Sequence, residues 1–377
     1  MTPAHIHPAV LRWARESAGY DLDQAASKAR LSPKKLAAAE EGEALLTLRQ
    51  AEEAARAFRR PLAVLFLSKP PVEEPIENQF RRLPDAPAPP WPPEMRLLAR
   101  AIAERQAAAE HLLDELEQSA PWEDVRIPFV PGPEAFAERV RARLDVGLDE
   151  QFGWRDRQGF RPLRVWRDAI EELGVLVMQN GSLPVEAMRG FAALHPRVPG
   201  IVLNTHDDPR ARCFTLLHEL GHLLRIRAGV SDDADVESWC EALAAGVLMP
   251  AQPFSSVLSG NRANSETLLE AVDETALTFG VTPAAATTRA GTLRLASRAE
   301  IDELRRALRV RGPGRRSSGG DHYGNVVARL GRGFTRLVFS ALDADAITSA
   351  GAAALLGTKV DGFPKLRARV GDPTGEE

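Results

Sequence analysis

In a chain of 377 residues with only eight histidines, two lie four apart in the apolar run "FTLLHELGHLLRI" (214–226), with a glutamate between them. On an α-helix, positions 218 and 222 are about 40° apart around the axis and one turn apart along it, so His218 and His222 project from one face and can hold one ion. Glu219 stands about 100° round from His218, within reach of a water beside that ion without ligating it. Gly221 removes side-chain bulk next to the pair, and Leu216, Leu217, Leu220, Leu223 and Leu224 dock the remaining helix surface into a core. The pattern is His-Glu-x-x-His, a zinc-site signature. The competing reading is a buried histidine pair satisfied by backbone carbonyls.

A third ligand tips the balance towards a metal. Zinc commonly takes three protein ligands and keeps one position open, and two histidines plus a glutamate is one such set. In the following run, "DADVESWCEALAAGVLMP" (233–250), Glu237 is fifteen residues beyond His222, and Glu241 lies one turn further on the same face. Glu237 is the expected ligand, with Asp233 and Asp235 as competitors. Glu241 is the expected acceptor for the free N–H of one histidine.

These groups need a scaffold. Asp207-Asp208-Pro209 supplies a cap and an N1 proline for the helix that carries the histidines, and Pro250 stops the next helix. Ahead of them, "VLVMQ" (175–179), "RGFAAL" (189–194) and "GIVLN" (200–204) read as three short strands. Apolar residues recurring at three and four predict helices over 95–120 and 161–173, the second ending at Gly174. The outcome is a small sheet backed by helices.

The runs "IVLNTHDDPRARCFTLLHELGHLL" and "ESWCEALAAGVLMP" resemble the ImmA/IrrE family of bacterial zinc metallopeptidases over roughly residues 160–290. The resemblance implies a gluzincin-like fold with His218, His222 and Glu237 as ligands and Glu219 as general base. Position 241 departs from the pattern, which more often has Asn or Asp there. The implied ion is Zn2+, with Mn2+ or Fe2+ tolerated by the same ligand set. The implied reaction is peptide hydrolysis, and His195, His206 and Arg212 are candidates to stabilise the oxyanion. Cys213 and Cys240 read as buried small hydrophobes or as thiols poised to eject the metal on oxidation.

The N-terminal 69 residues read as consecutive short helices. Asp21 with Gln24, and Thr47 with Gln50, form capping boxes; Ser32 caps a helix with Pro33 at N1 and Gly42 as terminator. The step from Ala29 through Leu31 to Ser32 has the form of a helix-turn-helix, with Leu22, Ala25, Ala26, Leu31 and Leu36 as its buried positions. The stretch resembles the lambda-repressor-like (XRE) DNA-binding domain, a common companion of ImmA/IrrE peptidases; "RPLAVLFLSKPPVEEP" and "QFRRLPDA" continue the likeness. The resemblance makes 33–40 the recognition helix, with Ser32, Lys34 and Lys35 near its start and Gln24 opening the preceding helix; Lys28, Arg30, Lys34 and Lys35 are the candidate phosphate contacts. Past Lys35 the recognition helix runs "LAAAEEGE", a poor base-reading surface, so protein contact is the rival role.

The expected fold class is thus α+β, multidomain and mostly helical. It comprises an all-α helix-turn-helix bundle over 1–69 and a proline-rich linker with nine prolines over 70–93. A gluzincin-like peptidase domain over 94–310 and a C-terminal helical domain over 321–377 complete it. Within the last, 345–360 resembles a second small helix-turn-helix. A net charge of -4, two cysteines and no long apolar run point to the cytoplasm and away from a membrane or a disulfide scaffold. Expected partners are a protein substrate such as a transcriptional repressor, double-stranded DNA through residues 1–69, and a second copy of the chain. The alternative is a non-proteolytic DNA-binding regulator or antitoxin-like factor that uses the metal domain as a sensor.

Overall fold

The computed structural model describes residues 3–73, 76, 91–229, 235–311 and 321–371. It is mostly helical with two small sheets, and it divides into two compact units, Met1–Glu104 and Arg105–Glu377.

In the first unit, α1 (Pro8–Ser17), α2 (Leu22–Lys28), α3 (Pro33–Glu41) and α4 (Leu48–Ala57) begin and end where the capping residues direct. Both capping boxes form: the Gln24 N–H donates to Asp21 at 2.8 Å and the Gln50 N–H to Thr47 at 3.3 Å. Ser32 caps α3, and Gly42 ends it in a left-handed conformation, φ 82°. β1 (Pro3–Ala4) pairs antiparallel with β2 (Leu46–Thr47). Ala25, Ala26 and Leu36 are buried, with Leu22 and Leu31 packed partly against them. Glu40, itself buried, receives Arg15 in a two-pronged pair at 2.8 and 2.9 Å that ties α3 to α1.

The helix Pro93–Glu115 is shorter at its C-terminal end than the expected 95–120, and the division between the units falls inside it. The expected boundary was the proline-rich segment, of which 74–75 and 77–90 lie outside the described residues. The first three turns of this helix belong with the N-terminal bundle for a concrete reason. Arg100 donates to the carbonyls of Ser17 and Phe58, satisfying groups at the C-terminal ends of α1 and α4, and Arg96 adds a second donor to the Glu16 carbonyl beside the Gly19 N–H. Burial lowers the Arg100 pKa to about 10.

In the second unit, β3 (Leu176–Asn180), β4 (Gly190–Ala193) and β5 (Gly200–Asn204) form a sheet in the order β3-β5-β4. β5 is central, parallel to β3 and antiparallel to β4, with Leu176 opposite Gly200 and Gly190 opposite Leu203. All five β5 residues are buried, as a central strand covered on both faces requires. The helix Phe160–Glu171 precedes β3, and Gly174 (φ 85°) makes the turn where an added Cβ would meet the Trp122 nitrogen at 2.7 Å.

The helices over 322–330, 332–343, 349–356 and 363–371, expected as a separate domain, belong to this same unit. Their core residues Val327, Leu330, Phe334 and Val338 share one apolar cluster with Leu176 and Val198 of the sheet region and with Leu112 and Leu113. Glu171 fastens them. Its buried carboxylate accepts the backbone N–H of Arg332 at 3.1 Å and of Gly333 at 3.0 Å, at the open start of the helix Arg332–Asp343. Burial pushes the Glu171 carboxyl up, while Arg167 and the Gly333 N–H oppose that shift.

Candidate metal centre

The histidines sit on the helix Pro209–Arg227. Asp208 caps it through the Arg210 N–H at 2.8 Å, and Pro209 occupies N1, where its missing N–H costs nothing. Leu216, Leu217, Leu220, Leu223 and Leu224 form one buried stripe, and Cys213, Gly221, His222 and Arg225 are buried on the other sides, so the helix is enclosed around most of its circumference. Its last turn is pinned as well: Arg227 donates to the Glu123 carbonyl at 2.7 Å, and Arg225 lies over the Trp239 ring. Glu237 is in the first turn of the facing helix, Val236–Leu248, where the helix dipole favours a carboxylate.

Gly221 lets these two helices approach. A Cβ at 221 would stand 3.1 Å from both the Cys240 Sγ and the Leu243 Cδ2. At that separation His218, His222 and Glu237 converge, and their ligand atoms all lie within 4.8 Å of one another, with no comparable group elsewhere among the described residues. His222 Nε2 is 3.1 Å from His218 Nε2; the Glu237 carboxylate is 3.3 Å from the latter and 3.6 Å from the former. Three such atoms this close call for a proton or a cation among them. Donors about 2.1 Å from a tetrahedral zinc stand about 3.4 Å from one another, so the donor set and its spacing fit such an ion. A metal there would supply Lewis acidity towards a peptide carbonyl and a water.

Glu219 is 4% exposed on the same helix, with Leu220 beside it. It follows His218 in the chain and is not one of the converging ligands. Of the other acids, Asp233 lies outside the described residues and Asp235 is exposed at the N-terminus of the facing helix. Glu241, the expected acceptor for a histidine N–H, is exposed one turn beyond Glu237 on the facing helix.

The oxyanion candidates are engaged in architecture. His195 Nδ1 accepts the N–H groups of Arg197 and Val198, and burial lowers its pKa. His206 Nε2 is 2.8 Å from the Gly181 carbonyl. Arg212 turns to the sheet and donates to Gln179 of β3, its pKa lowered by burial. Cys213 and Cys240 are both buried, and burial pushes the Cys213 thiol up, so Cys213 is no poised thiolate.

Residues 170–290 match the model of the IrrE N-terminal-like domain, Peptidase_M78. The match supports a peptidase of the ImmA/IrrE family over about a third of the chain, beginning near the end of the helix before β3 and covering all three converging ligands. No curated protein and no solved structure matches the chain. The N-terminal bundle and the C-terminal helices lie outside the matched segment. No single described helix is long and apolar enough to cross a membrane.

One buried polar group escaped the sequence reading: Asn204, which ends the apolar run "GIVLN" and is fully buried. A polar residue closing a buried strand just before a helix cap was the available signal.

Proposed function

We propose that this chain is a zinc-dependent endopeptidase, with manganese or iron able to take the same place, that cuts a specific regulatory protein such as a transcriptional repressor in a stress or mobile-element response. The observation that carries the peptidase reading is the convergence of His218, His222 and Glu237 beside the buried Glu219. A site that only sensed an ion would need the three ligands and would gain nothing from a desolvated glutamate next to them. Glu219 takes a proton from the attacking water and delivers it to the leaving amine.

The N-terminal helices act, in this reading, as a helix-turn-helix that engages double-stranded DNA. Ser32, Lys34 and Gln24 are exposed, Lys35 is half-buried, and Lys28 and Arg30 are exposed nearby. Gln24 and Ser32 are both engaged in capping, and the α3 surface beyond Lys35 offers alanines. That chemistry suits phosphates better than base edges, so the binding is salt-dependent and tolerant of sequence.

The test uses wild type and Glu219→Gln, with bound metal measured by elemental analysis and cleaved proteins in a source-cell lysate identified by mass spectrometry. Stoichiometric metal in both with cleavage by the wild type alone supports the peptidase. Metal in both with identical lysates replaces it by a metal-sensing DNA-binding regulator. Absence of metal from both removes the site.

A further inference from the structure

Asn204 spends its hydrogen-bonding capacity on the preceding loop and on the turn that follows β5. Its Nδ2 donates to the carbonyls of Leu183 at 2.9 Å and Met188 at 2.8 Å, and its backbone N–H donates to the Arg189 carbonyl at 2.8 Å. Its Oδ1 accepts the His206 N–H at 2.9 Å, and His206 in turn reaches the Gly181 carbonyl. A single buried side chain thereby ties together both ends of the 181–189 loop and the turn that leads into the metal helix. An Asn suits the place because one amide supplies two donors and an acceptor in a plane.

What the loop delivers is the start of β4. At Gly190, the next residue, an added Cβ would come within 2.5 Å of the Thr215 Cγ2, one turn before His218 on the metal helix, and within 2.9 Å of the Val202 carbonyl. The strand entry therefore lies against the metal helix itself. On the loop's outer side Pro184, Glu186, Ala187 and Arg189 are exposed, while Leu183 and Met188 are buried beneath. Arg189 meets Asp207 at 3.0 Å, just ahead of the helix cap.

We infer that Asn204 is a positioning residue that fixes the 181–189 loop as one wall of the channel receiving a polypeptide substrate beside the metal trio. The inference rests on the peptidase reading above. Glu186 then faces passing substrate residues and biases their charge, favouring basic side chains over acidic ones.

The test pairs Asn204→Asp with Glu186→Lys. Asn204→Asp keeps the acceptor and the volume but sets a carboxylate against two carbonyls, so the loop should detach. Trypsin nicking after Arg189 should rise at least tenfold while metal content stays stoichiometric. On a quenched-fluorescent peptide library, KM should rise severalfold with kcat changed less. Glu186→Lys, a surface change that spares folding, should move the kcat/KM ratio of acidic to basic peptides severalfold towards acidic. An unchanged nicking rate, or an unchanged KM together with an unchanged charge preference, overturns the inference even if the wild type is an active peptidase. A wild type that cleaves no peptide in the library overturns the peptidase reading and the channel wall with it; nicking then reports only whether Asn204 holds the loop.

Discussion

Gly221→Ala sets two effects of similar size against each other. In an ordinary helix interior, alanine is worth about 1 kcal/mol over glycine, so the substitution would stabilise a helix with open space at that point. Here the new methyl would stand 3.1 Å from the Cys240 Sγ and 3.1 Å from the Leu243 Cδ2, with the Cys240 Cβ at 3.4 Å. Neither neighbour is the loose end of a surface side chain: Cys240 is 0% and Leu243 1% exposed. Overpacking of this kind costs about 1–3 kcal/mol, which exceeds the propensity gain and leaves a net loss of about 1 kcal/mol. The helices separate by a few tenths of an ångström. Because Cys240 is three residues beyond Glu237, that movement draws the carboxylate away from nitrogens it now approaches at 3.3 and 3.6 Å.

A tenfold loss of metal affinity corresponds to about 1.4 kcal/mol less metal-linked stabilisation. The assay is a chelator competition titration with thermal melts in the presence and absence of metal, run for Gly221→Ala, Cys240→Ala and the double variant. Removing the Sγ makes room for the methyl, so the double variant should recover metal affinity, with a favourable coupling of about 1–2 kcal/mol between the sites. A Gly221→Ala protein that melts higher and holds metal as tightly as the wild type would refute the close-approach argument.

Three further outcomes are expected. Glu171→Gln leaves one of two backbone N–H groups at the start of the helix Arg332–Asp343 facing an amide donor. It should cost about 1–3 kcal/mol, read as a lowered denaturant midpoint. The Glu300 carboxyl is held at about 2, against an ordinary 4.5, chiefly by the Ser297 N–H, then by the Ser297 hydroxyl and Arg262. Its folded pKa is depressed, so its contribution is present above the ordinary value and lost as pH falls towards 2. An NMR titration of Glu300 should show this, and Ser297→Ala should move the midpoint up. If Lys34 and Lys35 contact phosphates, replacing both by Ala should flatten the salt dependence of DNA binding by about 2 in log–log slope, measured by fluorescence anisotropy.

The parts of this molecule written in local chemistry were legible in the sequence. Asp21 with Gln24, Thr47 with Gln50, Ser32 with Pro33, and Asp208 with Pro209 each act within four residues, and each starts a helix where expected. The His218–His222 pair is equally local, since its geometry follows from helical spacing alone. Glu237 needed the packing of two helices, and the signal for that was Gly221. What could not be read were the long-range pairings. Nothing near Glu171 announces that it will meet the N–H groups of Arg332 and Gly333, and nothing near Arg96 and Arg100 says that they will close the ends of α1 and α4. Those pairings move the unit boundary into the helix Pro93–Glu115 and draw the C-terminal helices into the second unit. Spacing puts Glu241 one turn beyond Glu237 but is silent on its exposure, which only the packing of the helix sets.

The same long-range pairings explain how so small a sheet can support the helix that carries the candidate metal site. A three-stranded sheet has two edges, and an open edge invites pairing with another chain. On β3, the Val177 carbonyl receives Arg167 at 3.2 Å, and the chain at Gly331 passes so close that an added Cβ would stand 3.0 Å from that carbonyl. Only glycine, at φ 90°, makes that passage without a clash, and it does so between two helices whose apolar residues cover the sheet. The segment matching the IrrE N-terminal-like domain contains the strands, the metal helix and all three ligands, yet Gly331 and the helices that cover this edge lie beyond it. Gln179 of β3 in turn receives Arg212 from the end of the first turn of the helix Pro209–Arg227. The metal helix is therefore braced through the sheet by residues that begin more than a hundred positions further along the chain, and the site's rigidity belongs to the whole second unit.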